Sequence, residues 1–325
     1  MNDTKKIERA YLFFGEEKYL VRDSVERLKT AVVDKAMEMM NLSIFEGRAE
    51  VDKIIAACET LPFMGDYRMV FVKDSGLFDK GRKDDTEKLK DYIGKIPKTT
   101  VLCFREDKVD KRNGLYKAVS KNGACTELNF LKDNELIKWV CEKGEKKIRP
   151  ANAEYLIKSV GTSMEVLEGE INKLLSGADE KGEITRGLID SLCTKSPENN
   201  VFEMVEAIGK KQPEKALEIY NNMLRMKQSP MYVLKMAARQ FKLIMQCKYL
   251  RSRGKNANQI AEELKQRSFV VRDCLNQAGN FKMASLINAI DDCARCDIDF
   301  KSGRITDKLG VEVIILKYSR REENG

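Results

Sequence analysis

Histidine is missing altogether from this 325-residue sequence. Its absence removes the commonest general base and the commonest metal ligand, so Ser-His-Asp, Cys-His, zincin and His-ligated iron chemistry cannot be assembled here. Carboxylates, Lys, Cys or Tyr would have to carry any catalysis. Long apolar runs are missing as well. The stretch MNDTKKIERAYLFFGEE holds five consecutive apolar residues, and no later run approaches the ~20 that a membrane-crossing helix needs. No membrane partner is expected, and a reduced cytoplasm is the natural compartment for nine scattered cysteines. Their only close pair, Cys293-x-x-Cys296, has no second pair at zinc-site spacing. No cofactor and no metal are expected.

Phosphate-binding signatures are lacking too. The segment YLFFGEEKYLVRDSV has the strand, glycine turn and helix of a nucleotide-binding domain, yet Gly15 is followed by Glu16 and Glu17, which repel a triphosphate. Neither G-x-x-x-x-G-K-[ST] nor G-x-G-x-x-G occurs, and Gly94-Lys95, Gly209-Lys210 and Gly254-Lys255 lack the Ser or Thr that would hold magnesium. No apolar strand ends directly in the acidic pair expected to coordinate Mg-ATP: Val72 leads to Lys73-Asp74, and Phe104 to Arg105 before Glu106-Asp107.

What is present divides the chain. Over the first ~130 residues, short apolar runs alternate with helical periodicity, the pattern of βαβ units around a parallel sheet. The runs begin at Tyr11, Leu42, Met69, Val101 and Cys125, enough for one open five-stranded sheet. Val21, Val25, Leu28 and Val32 mark one helical face; Val51, Ile54, Ile55, Cys58 and Leu61 mark another. After Phe130 helical spacing takes over, and the polar stretch Lys195–Asn200 reads as a linker. The expected fold is α/β followed by all-α, with domains at 1–133, 134–197 and 198–325.

Charge is unevenly placed. Residues 197–325 hold 23 Lys plus Arg against 16 Asp plus Glu, so +7 of the net +8 lies there. Between Glu218 and Glu262 there are nine bases and no acid. On a helix Lys235, Arg239 and Lys242 share one face while Ala237, Phe241 and Ile244 turn toward another. The strip is either a solvated helix face or a surface for a phosphate backbone or acidic partner. A second departure is Thr60-Leu61-Pro62-Phe63-Met64-Gly65-Asp66, a loop position rich in apolar residues. Pro62 ends the helix and presets the backbone. Phe63 and Met64 either fold back onto the sheet edge or protrude as a wedge for a partner's pocket, where each is worth roughly 1.5–3 kcal/mol if engulfed.

The succession YLFFGEEKYL, LPFMGDYRMVFVKD, GTSMEVLEGEINKL, FEMVEAIG, AARQFKLIMQCK and DIDFKSG resembles the delta subunit family of bacterial DNA polymerase III clamp loaders over nearly the whole chain. The resemblance implies an AAA+-like architecture: a RecA-like α/β domain without a phosphate loop, a small helical lid-type domain, and a helical collar. It implies a non-catalytic subunit that binds and opens the beta sliding clamp during DNA replication. Its partners would be ATPase subunits of the gamma/tau type and delta-prime in a hetero-pentamer, with primer-template DNA reached through the assembly. By the same resemblance Leu61, Pro62, Phe63 and Met64 form the clamp-binding loop, Met64 standing where the family usually has another bulky apolar residue. Lys235, Arg239, Lys242, Lys301 and Arg304 become candidate DNA or subunit contacts, Arg304 standing where some members carry an aromatic residue. The zinc-type cysteines and Ser-Arg-Cys motif of delta-prime are absent. The alternative is an AAA+-like nucleic-acid-binding adaptor outside replication.

Overall fold

The computed structural model describes residues 7–178 and 182–320 and divides the chain into two compact units, 1–131 and 132–325. In the first, strands β1 (Ala10–Phe14), β2 (Leu42–Glu46), β3 (Arg68–Lys73), β4 (Thr100–Glu106) and β5 (Ala124–Glu127) form one sheet in the order β2-β3-β4-β1-β5. Every pairing is parallel. Helices α1 (Lys18–Val32), α2 (Glu38–Asn41), α3 (Val51–Glu59), α4 (Lys83–Ile93) and α5 (Gly114–Asn122) fill the crossovers.

The continuous apolar runs have a direct structural cause: both faces of the central strands are covered. Leu12, Phe14, Val70, Val72, Leu102 and Phe104 point into a core shared with Ile54, Leu89 and Leu115. The alternate residues Phe13, Met69, Val101 and Cys103 pack on the other face with Val21, Val25 and Val32 of α1. Leu12 is wholly buried, and truncating it to Ala would cost about 2–5 kcal/mol.

The helical face expected to run from Val51 to Leu61 stops short. Val51, Ile54 and Cys58 are buried, but α3 ends at Glu59 and Leu61 is 77% exposed. Pro62 disfavours helical backbone at the residue before it, so Leu61 leaves the helix despite keeping its spacing.

The second unit is helical: α6 (Asp133–Lys143), α7 (Pro150–Val160), α8 (Met164–Gly177), α9 (Arg186–Leu192), α10 (Pro197–Gly209), α11 (Pro213–Arg225), α12 (Pro230–Ser252), α13 (Ala257–Glu263), α14 (Ser268–Ala278), α15 (Met283–Lys301) and α16 (Asp307–Ser319). The stretch read as a linker, Lys195–Asn200, is instead largely a helix start. Ser196 accepts a hydrogen bond from Asn199 N–H at 3.1 Å and Pro197 occupies the first turn of α10. A capping Ser followed by Pro is as good a helix N-terminus as it is a loop.

The core of α10–α16 is centred on α12, which packs against α10, α14, α15 and α16. Its buried residues Val233, Ala237, Phe241, Ile244, Cys247 and Leu250 form one stripe, with Phe241 edge-on to Phe281. Cys293 and Cys296 are buried on α15 within this same core, and burial pushes the Cys293 thiol up to about 12. No metal-holding cluster of His, Cys, Asp or Glu exists among the described residues. No helix among them is long and apolar enough to cross a membrane.

Candidate functional site

The loop between α3 and β3 holds apolar side chains out and its backbone down. Leu61 is 77%, Phe63 49% and Met64 78% exposed, while Pro62 between them is half-buried. Neither Phe63 nor Met64 belongs to either core of this unit. The backbone beneath them is fastened at three places. Where α3 ends, Thr100 Oγ1 donates to the Cys58 carbonyl at 2.7 Å, and Thr60 Oγ1 donates to that of Ala56 at 3.1 Å.

At the centre, the side chain of Asn41 donates from Nδ2 to the Phe63 carbonyl at 2.9 Å, and its Oδ1 accepts from the Phe63 N–H at 2.7 Å. Beyond, Arg68 reaches back from β3, donating from Nη1 to the Leu61 carbonyl at 3.4 Å and from Nη2 to Ser43 Oγ at 2.9 Å. Met64 itself sits at φ +47°, in the left-handed region that costs a side-chain-bearing residue about 1 kcal/mol or more. A strained turn that presents a bulky side chain to solvent has no core-packing reason to exist.

The chemistry under the loop is inert. Burial pushes the Cys58 thiol up to about 12 and lowers the Arg68 guanidinium from its ordinary value. Asn41 and Arg68, both nearly buried, are functional candidates that sequence reasoning missed. Asn41 lies 22 residues before Phe63, and an isolated Asn after two methionines carries no periodicity or motif that could have revealed it.

A nucleotide does not fit the end of β1. Gly15 is at φ +136°, and a Cβ there would lie 2.2 Å from the Leu128 carbonyl oxygen, so the β5 exit chain fills the space where a phosphate loop would turn. The N–H groups that could cradle phosphate are already taken. Glu17 N–H donates to the Leu128 carbonyl at 3.0 Å, and Glu16 N–H to Asn129 Oδ1 at 3.4 Å. Tyr19 N–H donates to the Glu17 carboxylate at 3.1 Å, which places an acid over the helix N-terminus that would otherwise attract an anion. The neighbouring strand ends are equally committed. Arg105 pairs with Asp74 at 2.5 Å, and the buried Glu106 accepts from the N–H and hydroxyl of Ser75 and from Gly76 N–H. Burial raises the Glu106 carboxyl, and those hydrogen bonds partly offset the rise.

The basic residues fall into two separate groups. Lys235, Arg239 and Lys242 are all exposed on one side of α12, opposite the buried Ala237, Phe241 and Ile244, and none has an ion pair among the described residues. Ser229 caps this helix by accepting from Tyr232 N–H at 3.2 Å, with Pro230 in its first turn. Lys301 and Arg304 lie at the end of α15 and in the turn after it, paired with the α15 carboxylates of Asp297 and Asp299 respectively. No hydrogen bond or ion pair links the two groups among the described residues. A cation already paired on a surface offers less net attraction to a phosphate than an unpaired one, so the strip on α12 is the stronger electrostatic feature.

Residues 11–129 match the family described as DNA polymerase III, delta subunit, and residues 198–318 match its C-terminal domain. The chain is 30% identical to DNA polymerase III subunit delta of Bacillus subtilis (strain 168) over 329 residues, 98% of this chain and 95% of that one. It is 27% identical to the probable DNA polymerase III subunit delta of Aquifex aeolicus (strain VF5) over 268 residues, 79% of this chain and 75% of that one. Among solved structures, the Bacillus subtilis DNA clamp loader delta protein superposes with a TM-score of 0.69 at 29% identity, over 97% of this chain and 96% of that one.

Proposed function

Because the chain belongs to the DNA polymerase III delta subunit family, we propose that it is the clamp-loader subunit that binds and opens the beta sliding clamp for loading onto primed DNA. The observation that carries this reading is the exposed Leu61, Phe63 and Met64 on a backbone fastened from below. Apolar side chains presented on a pre-ordered loop enter a pocket with little further loss of entropy, which is how a small patch becomes the anchor of an otherwise polar interface. Pro62 adds rigidity where the loop leaves α3.

In this role the subunit hydrolyses nothing. The residues at the end of β1 do not fit a nucleotide, so the energy for loading comes from ATPase subunits of the gamma/tau type beside it, with delta-prime completing a hetero-pentamer. The α/β unit presents the wedge, the segment 134–197 serves as a lid-type domain, and 198–325 forms the collar that joins the ring. Primer-template DNA is reached through the assembly, with Lys235, Arg239 and Lys242 as the leading contacts and Lys301 and Arg304 as secondary ones. The setting is the cytoplasm, where replication takes place.

Gel filtration of the purified chain with a bacterial beta sliding clamp tests the reading. A co-eluting complex lost in the Phe63→Ala, Met64→Ala variant is the expected result. A chain that binds DNA yet never the clamp would be an adaptor outside replication.

A further inference from the structure

Asn41 is 2% exposed and stands at the end of α2, immediately before β2. Leu42, the next residue, is paired with Met69 of β3, so Asn41, though the last residue of α2, is anchored directly to the sheet and is not part of the loop it touches. Its carboxamide makes both hydrogen bonds that a peptide group offers, taking the Phe63 N–H at 2.7 Å and giving to the Phe63 carbonyl at 2.9 Å. The pairing resembles one rung of a strand ladder, made by a side chain. Gly65 completes the fit: a Cβ there would come within 3.3 Å of Asn41 Nδ2. Between Phe63 and Gly65 lies Met64 in its left-handed turn.

Neither Phe63 nor Met64 packs into a core of this unit, so this side-chain clamp holds the loop and not the core. What the clamp does is select one loop conformation, the one in which Phe63 and Met64 both project. We propose that Asn41 is a positioning residue for the wedge: it keeps the loop in its binding-competent conformation before the sliding clamp arrives. The proposal rests on the reading of Phe63 and Met64 as clamp-binding residues. Without Asn41 the loop samples other conformations, and apparent affinity falls in proportion to the competent fraction.

The test measures association and dissociation rates with the beta sliding clamp for the wild type, Asn41→Ala, and the isosteric Asn41→Asp, which keeps the acceptor and loses the donor. Asn41→Ala is expected to weaken binding roughly tenfold or more, since two hydrogen bonds no longer hold the loop. The loss should fall in the association rate, because complex lifetime is set by the apolar side chains once they are seated. Asn41→Asp should weaken binding in the same way. In a Phe63→Ala, Met64→Ala background, Asn41→Ala should change clamp binding no further. Amide hydrogen exchange at Phe63 should speed up in Asn41→Ala while exchange in β1 and β4 stays as in the wild type. Wild-type association rates in both Asn41 variants, with the Phe63→Ala, Met64→Ala protein still defective, would overturn the role of Asn41 and leave the wedge standing. Normal clamp binding by the Phe63→Ala, Met64→Ala protein would overturn the wedge itself. Faster exchange throughout the sheet in Asn41→Ala would make Asn41 a plain structural residue.

Discussion

Replacing Phe63 and Met64 together with Ala should separate clamp binding from folding, and the structure sets the size of both effects. Fully engulfing a Phe or Met side chain is worth about 1.5–3 kcal/mol. Phe63 is 49% and Met64 78% exposed, so the partner has only that remainder to bury. The available gain is about 0.7–1.5 kcal/mol for Phe63 and about 1.2–2.3 kcal/mol for Met64. Losing both should raise Kd by roughly 20- to 600-fold. The half of Phe63 covered by its own chain is what folding loses, which corresponds to a drop in Tm of about 5 °C or less. Truncating a core Phe, by contrast, costs about 3–5 kcal/mol. The assay is surface-immobilised clamp titrated with each variant, beside thermal melts of the same samples. Met64→Gly sharpens the comparison, because φ +47° is strained for Met and free for Gly. That variant should keep its Tm within about 2 °C while clamp affinity falls. A double variant that melts more than about 10 °C lower, or that binds the clamp as tightly as wild type, would refute the reasoning.

Three further outcomes are expected. Equilibrium dialysis of the pure chain against ATP should detect no binding at micromolar nucleotide, since the Glu16 and Glu17 N–H groups are already bonded to Asn129 and Leu128; micromolar affinity would contradict it. Charge reversal of Lys235, Arg239 and Lys242 to Glu should weaken DNA binding by the assembled loader and flatten its slope against salt by up to about three phosphate contacts; an intact complex with an unchanged slope would make the strip a solvated face. The Glu106 carboxyl is raised by burial above its ordinary 4.5, so the folded state holds its proton more tightly than the unfolded chain does. The stability this provides is complete below that ordinary value and is lost as pH rises through the raised one. Chemical denaturation between pH 4 and pH 7 should therefore show a decline in wild type that Glu106→Gln lacks, and parallel curves would contradict the assignment.

Much of the architecture was legible in the residues alone. Central strands covered on both faces are apolar almost throughout, so the runs starting at Tyr11, Met69 and Val101 stand out, while the shorter runs starting at Leu42 and Cys125 mark the edge strands; each start lies within one of β1 to β5. The stripe Ala237, Phe241 and Ile244 likewise placed the basic residues of α12 on the opposite side, because helical geometry couples the two faces locally. The missing phosphate loop was visible as a missing motif. Other features had competing local signals or depended on contacts that no local pattern encodes. Leu61 kept the spacing of a buried helical face, yet α3 had already ended at Glu59. The polar stretch before Val201 had the composition of a linker and became the capped start of α10. Whether Phe63 and Met64 turn inward or outward was undetermined until the sheet was assembled. The parallel register of β2 on β3 carries Asn41 to the Phe63 peptide, and only that arrangement holds the backbone down while the side chains face solvent. Periodicity reports which face of an element is apolar. A hydrogen bond between residues 22 positions apart exists only once β2 and β3 have been placed side by side.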